Sequence, residues 1–154
     1  MDARRTRAIN EVSRSQIDFA QGQRILAEQP FSKLVGARLT VLAQGKAEIV
    51  VPIRTELLQQ HGFVHGGVVS YAADNALTFA GGTFYGDGLT AEYKLSYLRP
   101  AQGEMLIARA ETLYAGNRQA VCRCDVYVAS NGSEKLCATA LGTVANVNPR
   151  RKEA

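Results

Sequence analysis

Gln59-Gln60-His61-Gly62-Phe63-Val64-His65-Gly66-Gly67-Val68 runs without a break into Val69-Ser70-Tyr71-Ala72-Ala73-Asp74-Asn75-Ala76-Leu77-Thr78-Phe79-Ala80. From Val68 to about Phe84 the chain is rich in alanine and almost entirely apolar, and a helix apolar on nearly every side is a buried one. Two adjacent glycines at its start expose backbone N–H groups where the helix dipole adds positive potential. An anion, or an oxygen becoming one, is stabilised at such a point.

On either side of this helix the texture is that of strands. Before it, Ala37 to Ala43, a Gln44-Gly45-Lys46 turn, and Ala47 to Ile53 read as a hairpin. After it come Leu89 to Leu98, Glu104 to Tyr114, Gln119 to Val128 and Lys135 to Val147. Their separators, Arg99 to Gly103, Ala115 to Arg118 and Ser130 to Ser133, are credible turns between antiparallel neighbours. The class is α+β: an antiparallel sheet curled around one long central helix, burying it. Ile9, Val12, Ile17, Phe19, Ile25 and Leu26 recur at helical spacing from about Thr6 to Glu28, and Pro30 stops the pattern. Residues 1–30 thus read as a helical extension packed on the domain, 31–148 as the domain, and 149–154 as a basic tail.

The bulk properties exclude several classes. A chain of 154 residues is long enough for one self-sufficient core. With 46% hydrophobic and 21% charged residues it is globular, and no apolar run reaches the roughly 18 residues of a membrane span. The net charge of +4 is dispersed apart from Arg4, Arg5 and Arg7 and Arg150, Arg151 and Lys152. No nucleic-acid-binding motif appears, although mild positive charge attracts a phosphorylated small molecule. Cys122, Cys124 and Cys137 suit buried free thiols better than a disulfide or zinc framework. No signal peptide is expected, and a cytoplasmic location follows as the expectation. His61 and His65 stand four apart but lack a third ligand, so neither a metal nor a cofactor is expected.

Asp74 is the only charged side chain between His65 and Asp87. A carboxylate inside an apolar helix is costly unless something compensates it, which makes it either a structural hydrogen-bonding group or a functional one. Thr78, four residues later, shares its helix face, though a lone helical threonine usually bonds its own backbone. Asp74 lies eight residues beyond Gly66, roughly 12 Å along a helix, so one chain cannot aim both at one carbonyl. A twofold dimer with antiparallel helices brings Gly66 of one subunit near Asp74 of the other.

The run His65-Gly66-Gly67, with Asp74 nine residues after the histidine, resembles the phenylacetate-pathway branch of hotdog-fold thioesterases over roughly Phe31 to Val147. The resemblance implies a single hotdog fold and an acyl-CoA thioesterase releasing a free acid and coenzyme A. It implies Asp74 as nucleophile or general base and the Gly66 and Gly67 N–H groups as the device polarising the thioester, with His65 beside them. Removing one donor of such an oxyanion hole typically costs about a hundredfold to a thousandfold in rate. Gln59 falls where members carry an Asn or Gln at the thioester, Thr78 where one branch has a helper threonine, and Thr90 at a Ser or Thr position implicated in some relatives. Phe63, Asn75 and Arg118 are further substrate-binding candidates, and Arg99, Arg118 and the Arg150-Arg151-Lys152 tail are candidates for the coenzyme A phosphates. Glu92 to Pro100 and the turn Ala115-Gly116-Asn117-Arg118 look most like thioesterases acting on medium or long acyl chains, while the branch itself suggests aryl groups. A homodimer, assembled as a dimer of dimers, is implied. The contrasting reading is a silent acyl-CoA-binding or sensing protein, since fold alone does not fix function. A hotdog dehydratase needs a different histidine-centred arrangement.

Overall fold

The computed structural model describes residues 17–149. Helix α1 (Phe19–Glu28) leads into a short helix α2 (Pro30–Val35). Strands β1 (Arg38–Ala43) and β2 (Lys46–Pro52) precede a single 3-10 turn at Thr55–Leu57 and the central helix α3 (Gly66–Gly82). Strands β3 (Gly88–Tyr97), β4 (Met105–Ala115), β5 (Gln119–Ser130) and β6 (Ser133–Asn146) complete the chain. All six strands form one antiparallel sheet in the order β1-β2-β4-β5-β6-β3. This is the hotdog architecture: two strands, one helix wrapped by the sheet, four strands.

Strand alternation builds the concave face. Along β5, Ala120, Cys122, Cys124, Val126 and Val128 are buried while the residues between them are not, as a period of two requires. They meet Val69, Ala72, Ala73, Ala76, Leu77 and Ala80 of α3, together with Ile49, Val51, Leu106 and Val144 of the other strands. The alanines keep the helix thin, so the sheet can pack closely over it. Truncating Leu77, wholly buried here, belongs to the class of change that costs about 2–5 kcal/mol. Cys122, Cys124 and Cys137 are free and buried.

Two expectations need correction. Pro30 does end the α1 pattern, but it also opens α2 as its first residue, where its missing N–H is no loss. The N-terminal part of the expected helix, Thr6 to Gln16, lies outside the described residues, as do Arg150, Arg151 and Lys152. The start of α1 at Phe19 has a local cause: Asp18 Oδ1 accepts from the Gln21 N–H at 2.7 Å and Gln21 Oε1 from the Asp18 N–H at 2.9 Å, a reciprocal capping box. The second correction concerns α3, which is not buried all round. Ser70, Tyr71, Asp74, Asn75 and Thr78 are only half-buried, and they form two polar stripes, one toward β3 and one toward α2.

Candidate active site

The helix start is organised by its own side chain. His65 is the N-cap of α3, its Nδ1 accepting from the Gly67 N–H at 2.9 Å. A Cβ on Gly67 would stand 3.0 Å from that nitrogen, so glycine keeps room for the ring. Gly66 carries Tyr97 instead: the Tyr97 hydroxyl donates to the Gly66 carbonyl at 2.7 Å, and a Cβ there would lie 3.1 Å from the phenolic oxygen. The expectation of two equal N–H donors is thereby corrected. Gly67 has given its N–H to His65, whereas the Gly66 N–H has no partner among the described residues.

Gln59 and Phe63 stand beside this amide. Gln59 N–H bonds the Phe63 carbonyl at 2.8 Å and Gln59 Oε1 accepts from the His61 N–H, which closes the Gln59–Phe63 loop. The Gln59 Nε2 group has no partner among the described residues and is free to donate. Gln59, Phe63 and Gly66 line one cleft of about 370 Å³, together with Val69, Tyr97 and Arg99. His61 is exposed.

The carboxylate lies further along the helix. Asp74 Oδ1 accepts from the Thr90 hydroxyl at 2.5 Å, and Oδ2 has no partner among the described residues. Thr78 donates its one hydroxyl proton to the Asp74 carbonyl at 2.9 Å, and its Oγ1 lies 2.6 Å from Thr90 Oγ1, against the residue that holds the carboxylate. One turn before, Ser70 Oγ lies 2.5 Å from the Tyr93 hydroxyl. Helix α3 thus runs antiparallel to β3, meeting Tyr97 at Gly66, Tyr93 at Ser70 and Thr90 at Asp74 and Thr78. The fourfold spacing of Gly66, Ser70, Asp74 and Thr78 puts them on one face.

Thr90 reaches Asp74 because β3 is bulged. Thr90 stands opposite Val144 and Glu92 opposite Thr143, leaving Ala91 as an extra residue. Strict alternation back from the inward Tyr93 would turn Ala91 in and Thr90 out. The bulge resets the phase, a device found next to active sites.

The remaining candidates separate from this cluster. Asn75 turns the other way, its Nδ2 3.4 Å from Gln29 Oε1, which also accepts from Ser32 Oγ at 2.6 Å. Tyr71 completes that network by donating to Ser32 Oγ at 2.6 Å, and burial pushes its phenol above the ordinary value. The structure places Asn75 apart from Asp74, Thr78 and Thr90, where it fastens α3 to the α1–α2 connection. Arg118 is exposed in the β4–β5 turn, its carbonyl accepting from the Asn146 N–H at 2.9 Å. Asn146 faces Gly88, so Arg118 belongs to the Thr90 end of β3, away from the cleft.

Sequence reading passed over Ser70, Tyr93, Tyr97 and the Ala91 bulge. The spacing of Ser70 from Asp74 was a usable signal. The tyrosines gave none, since an aromatic residue in a strand is ordinary core or surface until its neighbour is known.

Comparison with known proteins identifies the family. A family model described as "Thioesterase superfamily" matches residues 61–135, the span from His61 through α3 and into β6. A protein of Archaeoglobus fulgidus named "Putative esterase" is 32% identical over 117 residues, covering 75% of this chain and 74% of the relative. Among solved structures, a thioesterase family protein from Silicibacter pomeroyi shares 34% identity with a TM-score of 0.77, over 83% of this chain and 97% of that one. A point mutant of the phenylacetic acid degradation protein PaaI from Thermus thermophilus shares 31% identity with a TM-score of 0.68, over 77% and 100%. The chain is a member of the thioesterase superfamily, a thioester hydrolase on the hotdog fold in its PaaI-like branch.

Proposed function

We propose that the protein is an acyl-CoA thioesterase whose two sites lie at a homodimer interface. The observation that carries the reading is the Asp74 carboxylate, half-buried as the one charged side chain of α3, with one oxygen held by the Thr90 hydroxyl and the other unpaired among the described residues. That is how a carboxylate is held and aimed for use as a base or nucleophile.

In the proposed reaction the thioester carbonyl of one acyl-CoA rests by Gly66 N–H and the Gln59 amide of one subunit. Asp74 of the other takes a proton from the water that attacks the carbonyl, or attacks it directly to give a mixed anhydride that water then hydrolyses to the free acid. The tetrahedral oxyanion is stabilised by the amide at the helix start, the C–S bond breaks, and coenzyme A leaves as a thiolate that takes up a proton. Thr90 holds the carboxylate in place, and Thr78 packs against the Thr90 hydroxyl. Asp74 and Gly66 are separated by roughly 12 Å of helix, which is why the reading needs two subunits. β3 is an edge strand bordering the Asp74 face, which suits docking of a second copy with its helix antiparallel. A dimer of dimers in the cytoplasm and a reaction without a cofactor complete the proposal, and the three free thiols suit a reducing compartment.

The test is release of free thiol from a panel of acyl-CoAs differing in chain length and ring content. Asp74→Asn is expected to lower kcat by at least about a hundredfold, the scale of a lost acid–base group, with ligand binding retained. Undiminished turnover in that variant would sink the mechanism. Ligand binding with no thiol release from any member of the panel would favour a silent acyl-CoA-binding protein instead.

A further inference from the structure

Arg99 is the one charged side chain lining the cleft that also holds Gln59 and Gly66. Its guanidinium makes no ion pair or hydrogen bond among the described residues, whereas Arg109 and Arg123 on the sheet's outer face are both paired with glutamates. The base of Arg99 is fixed: the Leu98 and Arg99 N–H groups both donate to the Cys137 carbonyl, at 2.8 and 3.3 Å. Cys137 also lines the cleft, and the positive charge of Arg99 is felt at its thiol. Phe63, Val64, Val69, Leu98 and Ala101 make the rest of the wall largely apolar. A lone cation at the edge of an apolar cleft, in the same cleft as the proposed oxyanion donor, is the arrangement that reads an anionic end on an otherwise apolar ligand.

We propose that Arg99 is the specificity residue of the site, binding an anionic group of the thioester substrate. This inference rests on the thioesterase reading above. Two sources supply that anion: a phosphate of the coenzyme A moiety, or a carboxylate at the far end of the acyl group. Arg118, at the opposite end of β3, and the basic residues outside the described chain are not part of it.

The experiment compares the wild-type enzyme with Arg99→Gln and Arg99→Lys on three substrates sharing one acyl length: the acyl-CoA, the same acyl group on pantetheine without phosphates, and its ω-carboxyacyl analogue on pantetheine. If a phosphate is the ligand, Arg99→Gln raises KM for the acyl-CoA about tenfold, the effect of losing one charge-assisted contact, and spares both pantetheine thioesters. If a carboxylate is the ligand, the rise falls on the ω-carboxyacyl substrate alone. In either case kcat holds, Arg99→Lys recovers part of the loss, and added salt raises the wild-type KM more than that of Arg99→Gln. Equal change on all three substrates, or none, overturns the inference while leaving the thioesterase reading intact. Absence of hydrolysis by the wild-type enzyme across acyl lengths overturns both.

Discussion

The imidazole of His65 spends its acceptor nitrogen on the Gly67 N–H, and that assigns it a different job from a catalytic base. It closes the first turn of α3 and keeps the neighbouring Gly66 amide oriented. Loss of an N-cap costs about 1 kcal/mol, so His65→Ala is expected to lower unfolding free energy by about that much in urea titration. kcat should fall less than in Asp74→Asn, because the amide is loosened rather than removed. A loss as complete as that of Asp74→Asn, in protein of unchanged stability, would show that the imidazole takes part in the chemistry. Gly66 and Gly67 are equally specific in their reasons: one leaves room for the Tyr97 hydroxyl and the other for the His65 ring.

At the scale of the element, the site depends on the phase of a strand. Ala91 makes no contact with Asp74, yet its accommodation as a bulge in β3 is what keeps Thr90 turned toward the carboxylate. Deleting Ala91 removes only the extra residue, leaving Thr90 opposite Val144 and two positions from the inward Tyr93, so the hydroxyl is expected to stay on Asp74 and kcat to hold. Thr90→Val removes that hydroxyl and is expected to lower kcat about tenfold or more, since a hydrogen bond to a charged group is worth about 1.5–3 kcal/mol. A fall in kcat on deleting Ala91 as large as that in Thr90→Val would mean that the bulge serves something other than the phase of Thr90. The seam between α3 and β3 has a second side in the Gln29, Ser32, Tyr71 and Asn75 network, which ties the same helix to the N-terminal segment.

At the scale of the molecule, the two faces of the sheet have different uses. The outer face carries a ladder of ion pairs, with Arg109 bonded to Glu48 at 2.7 Å and to Glu134 at 2.6 Å, and Arg123 to Glu111 at 2.6 Å. Such exposed pairs contribute little stability singly; they keep that face solvated. The half-sites on the helix face give the dimer proposal a direct check. Asp74→Asn and a variant blocked at the helix start, Gly66→Val, are each expected to be nearly inactive. After unfolding and refolding as an equal mixture, about a quarter of wild-type activity should return, because half the dimers are mixed and each has one intact site. No recovery from well-folded mixed dimers would place both groups in one chain's site. The buried thiols offer an independent reading of the core. Burial raises all three, Cys137 to about 11 even with Arg99 nearby. Raised thiols stay protonated at neutral pH, where only the thiolate reacts. In a colorimetric disulfide-exchange assay at about pH 7.5 the native protein should show fewer than one reactive thiol per chain, and three after denaturation; prompt reaction of two or more would contradict the packing.

The sequence by itself determined the order of elements, the buried helix and its special start, because these follow from local periodicity, glycine placement and turn chemistry. It also singled out Asp74, since one carboxylate in an apolar run stands out before any fold is known. Even the separation of Gly66 from Asp74 was legible, because helix rise is a constant. What only the tertiary structure decided is which groups meet. Thr90 joins Asp74 through a one-residue bulge that shifts the side-chain phase, and nothing in Leu89-Thr90-Ala91-Glu92 announces it. Asn75 turns toward Gln29 instead of the carboxylate because successive helical residues point about 100° apart and α2 covers that side. Gly67 loses its N–H to a histidine two residues back, and Arg99 stays unpaired over the cleft while Arg109 and Arg123 are neutralised by glutamates. Each of these is a contact between segments distant in sequence, or a competition for one hydrogen bond, and neither leaves a mark on local pattern. The helix start with which the sequence was first read is therefore a narrower device than its two glycines suggested: one free amide at Gly66, braced by His65 and Tyr97.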